Sequence, residues 1–119
     1  MKIKGILYED FINYKKPSMT ILFPKCSFKC DKECGSVVCQ NSALAQRAVT
    51  EVAAQDIVDK YIMNPFTSAI VCSGLEPFDS FEDLLVFIHT IRKETDDDIV
   101  IYTGYNEDEI KTLIYQLAL

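Results

Sequence analysis

Three short apolar runs, each followed by a segment with helical spacing, constrain the fold of this chain more than any other feature. They are Met19-Thr20-Ile21-Leu22-Phe23, Ser68-Ala69-Ile70-Val71-Cys72 and Asp98-Ile99-Val100-Ile101-Tyr102. A continuous apolar run of this length marks a strand buried on both faces. Three sets of residues recur at helical spacing: Ile57, Val58, Tyr61 and Ile62; Phe81, Leu84, Leu85, Ile88 and Ile91; and Ile110, Leu113, Ile114 and Leu117. Asn64-Pro65 stops the first helix, because the residue before a proline avoids the α region. Ser80 with Asp83, and Asn106 with Glu109, have the spacing of capping pairs. Ahead of these units, Ile3 to Tyr8 reads as a strand that turns back into Met19–Phe23. Alternating strands and helices require a parallel sheet with right-handed crossovers, hence an α/β fold.

Sites in such sheets lie beyond the carboxyl ends of the strands. Those ends lead into a cysteine-rich segment, the loop Ser73-Gly74-Leu75-Glu76-Pro77-Phe78 and the turn Thr103-Gly104-Tyr105, so the three least regular segments are expected on one rim. The 119 residues carry 12 basic against 18 acidic side chains, a net charge of −6, and are expected to form a single domain over 1–119. No basic stripe is present to neutralise a phosphate backbone, which argues against nucleic acid as a partner. No apolar run reaches the length of a membrane span, and the N-terminus turns acidic at Glu9-Asp10 without a small-residue cleavage site. No membrane association and a cytoplasmic location are therefore expected, and there the five cysteines need a role other than disulfides.

Cys26, Cys30, Cys34 and Cys39 are separated by three, three and four residues in a stretch with neither helical nor strand period. Clustered thiols in a reducing compartment hold metal, since thiolate is a soft ligand and close spacing lowers the entropic cost of assembling the site. Structural zinc favours two cysteine pairs split by a longer segment. Reactive or disulfide-forming thiols are the third reading. An iron–sulfur cluster is favoured, because clusters accept consecutive cysteines from one loop.

The run Ile21-Leu22-Phe23-Pro24-Lys25-Cys26-Ser27-Phe28-Lys29-Cys30 resembles the strand-to-loop entry of the radical S-adenosylmethionine superfamily. It is most similar to the small activating proteins of anaerobic ribonucleotide reductase. In that family the cysteines are separated by three and then two residues, and Cys26 and Cys30 fit the first gap. Cys39-Gln40-Asn41-Ser42-Ala43-Leu44 resembles the segment at and after the family's third cysteine, so the likeness implies Cys26, Cys30 and Cys39 as cluster ligands. Residues Asp31–Val38 then form an insertion that widens the second gap to eight residues. Cys34 is the rival third ligand on spacing. Ser73-Gly74-Leu75-Glu76-Pro77 is similar to the family's Gly-Gly-Glu-Pro stretch, with Leu75 at the second glycine, and Ile101–Tyr105 to the end of its third strand.

The resemblance implies a partial (β/α) barrel of about three parallel β-α units preceded by a short N-terminal β-hairpin. It further implies a 4Fe–4S cluster with one open iron, which chelates the amino and carboxylate groups of S-adenosylmethionine and reductively cleaves it to a 5′-deoxyadenosyl radical. Such an enzyme activates a glycyl-radical partner, such as anaerobic ribonucleotide reductase, and draws electrons from a flavodoxin- or ferredoxin-type reductant. Within the cofactor site, Ser73, Gly74 and Glu76 correspond to the stretch that meets the ammonium of S-adenosylmethionine, and Val38 to the residue lying against its adenine. The plain alternatives are a solvated loop carboxylate for Glu76 and an ordinary loop apolar residue for Val38. A non-catalytic iron–sulfur or zinc module for electron transfer or partner docking is the rival function. Cys72 reads as a small core hydrophobe, His89 as a packed or rim histidine, Asp96-Asp97-Asp98 as a solvated turn, and Tyr102 and Tyr105 as core or rim aromatics.

Overall fold

The computed structural model describes residues 1–24 and 49–117. In chain order the elements are β1 (Lys2–Ile3), β2 (Gly5–Asp10), β3 (Ser18–Phe23), β4 (Thr50–Glu51), α1 (Ala54–Met63), β5 (Ala69–Gly74), a 3-10 turn at Pro77–Ser80, α2 (Phe81–Arg92), β6 (Asp98–Ile101) and α3 (Glu107–Leu117). Four strands form a mixed sheet in the order β2-β3-β5-β6. Strands β3, β5 and β6 run parallel, and β2 is antiparallel to β3 with an irregularity between Leu7 and Asp10. The short strands β1 and β4 form a separate antiparallel pair, Lys2 opposite Glu51.

Register decides which side chains share a face. Met19 pairs with Ile70 and Ile70 with Ile99; Ile21 pairs with Cys72 and Cys72 with Ile101. These rows, with Phe23, point to the helices and join Ile57, Val58 and Tyr61 of α1, Leu84, Phe87, Ile88 and Ile91 of α2, and Ile110 and Leu117 of α3 in one core. Burying a side chain such as Phe87, fully enclosed here, contributes about 1.5–3 kcal/mol. Helix α1 packs on α2 and α2 on α3, as crossovers of one hand demand. Asn64 closes α1 in an extended conformation (φ −91, ψ 110), the geometry imposed by Pro65.

On the opposite face lie Ser18, Thr20, Ala69 and Val71, all buried, although the helices pack on the other side. The connection from β2 to β3, residues 11–17, is fastened there. Thr20 donates to Asp10 Oδ2, Tyr14 to Asp98 Oδ2 at 2.8 Å and Tyr102 to the Asn13 carbonyl, while Lys16 pairs with Asp98 at 3.0 Å. Asp10 holds the start of this strap by accepting from the N–H groups of Ile12 and Asn13.

Several expectations are corrected. Ile62 and Ile114 are 47% and 38% exposed, because each lies at the margin of its helix's apolar stripe. The Ser80–Asp83 capping box does not form. A 3-10 turn is wedged ahead of α2, Ser80 makes no capping bond there, and Asp83 accepts from the Lys2 backbone N–H at 3.0 Å instead. The Asn106–Glu109 box does form, with reciprocal bonds of 3.1 and 3.0 Å. Ser73 and Gly74 belong to β5 rather than to a loop, because Leu22 and Phe23 continue the parallel pairing opposite them. The Asp96–Asp98 turn is only partly solvated: Tyr61 donates to Asp97 at 2.6 Å, and Asp98 is held by Tyr14 and Lys16.

Candidate cluster and cofactor rim

The carboxyl ends of β3, β5 and β6 lie side by side, with Phe23 paired to Gly74 and Cys72 to Ile101. The exits are tied together by backbone bonds. Leu75 N–H donates to the Phe23 carbonyl at 3.1 Å, and Tyr102 N–H to the Cys72 carbonyl at 2.9 Å. Gly74 has φ +92, and a Cβ there would fall 2.5 Å from the backbone nitrogen of Phe23. Only glycine reconciles this backbone with so close an approach. Residue 74 is therefore dictated by the neighbouring strand, whatever else it does.

Glu76 is 4% exposed, which removes the reading as a solvated loop carboxylate. Its Oε2 accepts from Phe78 N–H at 3.0 Å, capping the 3-10 turn, and its Oε1 accepts from Gly104 N–H at 2.6 Å. The Thr103 hydroxyl lies 2.8 Å from both carboxylate oxygens. A carboxylate from the β5 exit thus crosses to the β6 exit and fixes one to the other. Buried carboxylates need such partners, since an unsatisfied charge carries a desolvation cost of several kcal/mol.

Of the residues expected at the site, Ser73, Gly74 and Glu76 are brought together on this rim. Cys26, Cys30 and Cys39, the rival Cys34, and Val38 lie outside the described residues. Pro24 and Val49, which flank that segment, line one cavity of about 420 Å³ with Lys2 and Glu51. The two described residues that border positions 25–48 thus share one cavity, beside the carboxyl end of β3. The donor chemistry fits a cluster at that position. Cys72 is fully buried within the hydrophobic core, and burial pushes its thiol up to about 12, the setting of a small core hydrophobe. The thiols left are those between positions 26 and 39. Among the described residues no group of three or more His, Cys, Asp or Glu is placed to hold a metal ion.

Sequence reasoning missed Thr103 as a site residue. The available signal was a Thr-Gly pair directly after an apolar strand, at the end where sites form. Tyr102 and Tyr105 are anchored rather than free: Tyr102 donates to Asn13 and Tyr105 to Asp79 Oδ1 at 2.5 Å. His89 is exposed on α2. No helix among the described residues is long and apolar enough to cross a membrane.

The family model described as a 4Fe-4S single cluster domain matches residues 17–118, from the entry of β3 through α3 and including all four clustered cysteines. No curated protein and no solved structure matches the chain. The match covers the parallel strands, their helices and the cysteine segment, and leaves out only β1, β2 and most of the strap. The chain belongs to the 4Fe-4S single cluster domain family, and is a 4Fe–4S cluster-binding domain.

Proposed function

We propose that this is a radical S-adenosylmethionine protein of the activating type, with Cys26, Cys30 and Cys39 holding three irons of the cluster. The four-stranded sheet is then one wall of a partial (β/α) barrel. The observation that carries the reading is the buried Glu76 carboxylate at the end of β5, on the rim where Pro24 leads into the cysteines. It is matched to the ammonium of the ligand's methionine end, while Ser73 and Gly74 supply the backbone beside it and Val38 lies against the adenine. When bound, the reduced cluster supplies the electron that cleaves the sulfonium. The chain's own residues bind and orient the ligand and exclude water, as a reactive carbon radical requires. A glycyl-radical enzyme of the anaerobic ribonucleotide reductase kind is the partner, a flavodoxin or ferredoxin the electron donor, and the cytoplasm the location.

The test is direct. Anaerobically reconstituted protein, reduced with dithionite, is expected to form 5′-deoxyadenosine from S-adenosylmethionine. A fully loaded cluster that yields no product rejects the reading. A second reading, a non-catalytic electron-transfer or docking module, is favoured by one observation: four thiols lie between positions 26 and 39, enough to close all four irons.

A further inference from the structure

The Glu76 carboxylate is buried, and its hydrogen-bond donors are all neutral: two backbone N–H groups and one hydroxyl. Among the described residues no cation is paired with it; the ion pair found there joins Lys16 and Asp98. A carboxylate offers about four lone-pair positions. Gly104 N–H takes one on Oε1, Phe78 N–H one on Oε2, and the single hydroxyl hydrogen of Thr103 one more. These three donors leave one of the four positions over.

Thr103 is the member of this set that a side-chain substitution removes. Its hydroxyl is itself oriented, because Tyr105 N–H donates to Oγ1 at 3.1 Å and leaves the hydroxyl hydrogen for Glu76. The turn that carries it is held from both sides, by Tyr102 N–H on the Cys72 carbonyl and by the Tyr102 hydroxyl on Asn13. We propose that Thr103 is a positioning residue: by fixing the Glu76 carboxylate, it sets the affinity of the β5 exit loop for the ammonium of S-adenosylmethionine. This role rests on the function proposed above. It assigns to the β6 turn a task performed entirely through a neighbouring strand's side chain.

The experiment uses the full chain with its cluster loaded under anaerobic conditions. S-adenosylmethionine binding is measured by calorimetry, and exchange of the Gly104 amide is followed without ligand. Thr103→Val and Thr103→Ala are expected to bind about tenfold more weakly, at unchanged iron per chain and with faster Gly104 exchange. Thr103→Ser restores wild-type affinity. In a Glu76→Gln background the Thr103→Val change adds no further loss.

Several results overturn the proposal. They are unchanged affinity in both Thr103 variants, a Thr103→Ser protein as weak as Thr103→Val, or an added loss in the Glu76→Gln background. Loss of the cluster by both Thr103→Val and Thr103→Ala also overturns it, by making the residue structural. A wild type that does not bind S-adenosylmethionine rejects the underlying function and this role with it. Wild-type binding with unaffected variants rejects only the role.

Discussion

The side chains of Asp10 and Thr20 meet across the first hairpin, both buried, with the Thr20 hydroxyl donating to Asp10 Oδ2 at 2.5 Å. The same carboxylate accepts from Asn13 Nδ2 at 2.6 Å and Ile12 N–H at 2.9 Å. One side chain thus pins the strap to the non-helical face of the sheet. Burial by itself raises the Asp10 pKa, but the bonds from Thr20, Asn13 and the backbone outweigh it and hold the group at about 2.

A carboxyl depressed in the folded state stabilises the fold fully above its unfolded pKa, near 4, and loses that contribution as pH falls through about 2. The shift corresponds to about 2 kcal/mol. Denaturant titrations of wild type and Asp10→Asn at pH 6, 4 and 2 are expected to converge as pH falls. Parallel loss of stability in the two proteins across that window would show that Asp10 is not the group responsible.

Gly74→Ala is expected to destabilise by roughly 2–4 kcal/mol. The cause is backbone: φ is +92 and the new methyl would meet Phe23 N at 2.5 Å and Leu22 Cα at 2.9 Å, neither of which is the end of a flexible side chain. Thermal unfolding checks it. A Gly74→Ala protein as stable as wild type would mean that the exits of β3 and β5 are not this close.

Cys72→Ala tests the assignment of the thiols. The side chain is fully buried and its pKa is raised to about 12 by desolvation, so iron per chain is expected to stay at the wild-type value. Stability falls by about 1–2 kcal/mol for the small cavity left behind. Iron content that drops with Cys72 would overturn the assignment of the cluster to residues 26–39.

Cys34→Ala and Cys39→Ala separate the two functional readings. Under the proposed function Cys34→Ala retains a full cluster, whereas Cys39→Ala loses most of its iron, because only three protein thiolates serve the cluster. Equal loss from both variants points to four thiolate ligands and the non-catalytic module. Iron analysis and spin-resonance spectra with and without S-adenosylmethionine distinguish the outcomes.

Local pattern was enough for some features of this protein and not for others. The apolar runs at Met19–Phe23, 68–72 and 98–102 locate the parallel strands, and the stripes through Ile57, Leu84 and Ile110 locate the helices, because burial imposes periodicity on neighbouring residues. The Asn106–Glu109 cap was legible for the same reason, being closed within three residues. The Ser80–Asp83 cap was not, because a 3-10 turn and the distant Lys2 backbone claim the groups involved. The clustered thiols at 26–39 announced metal chemistry through composition and spacing alone. What tertiary structure decided is the state of single side chains. Glu76 and Thr103 are 27 positions apart in the chain, and Asp10 and Thr20 meet only because β2 folds back on β3. Exposure and hydrogen bonding of a carboxylate depend on strands brought together by the sheet, and a one-dimensional pattern holds no record of that meeting.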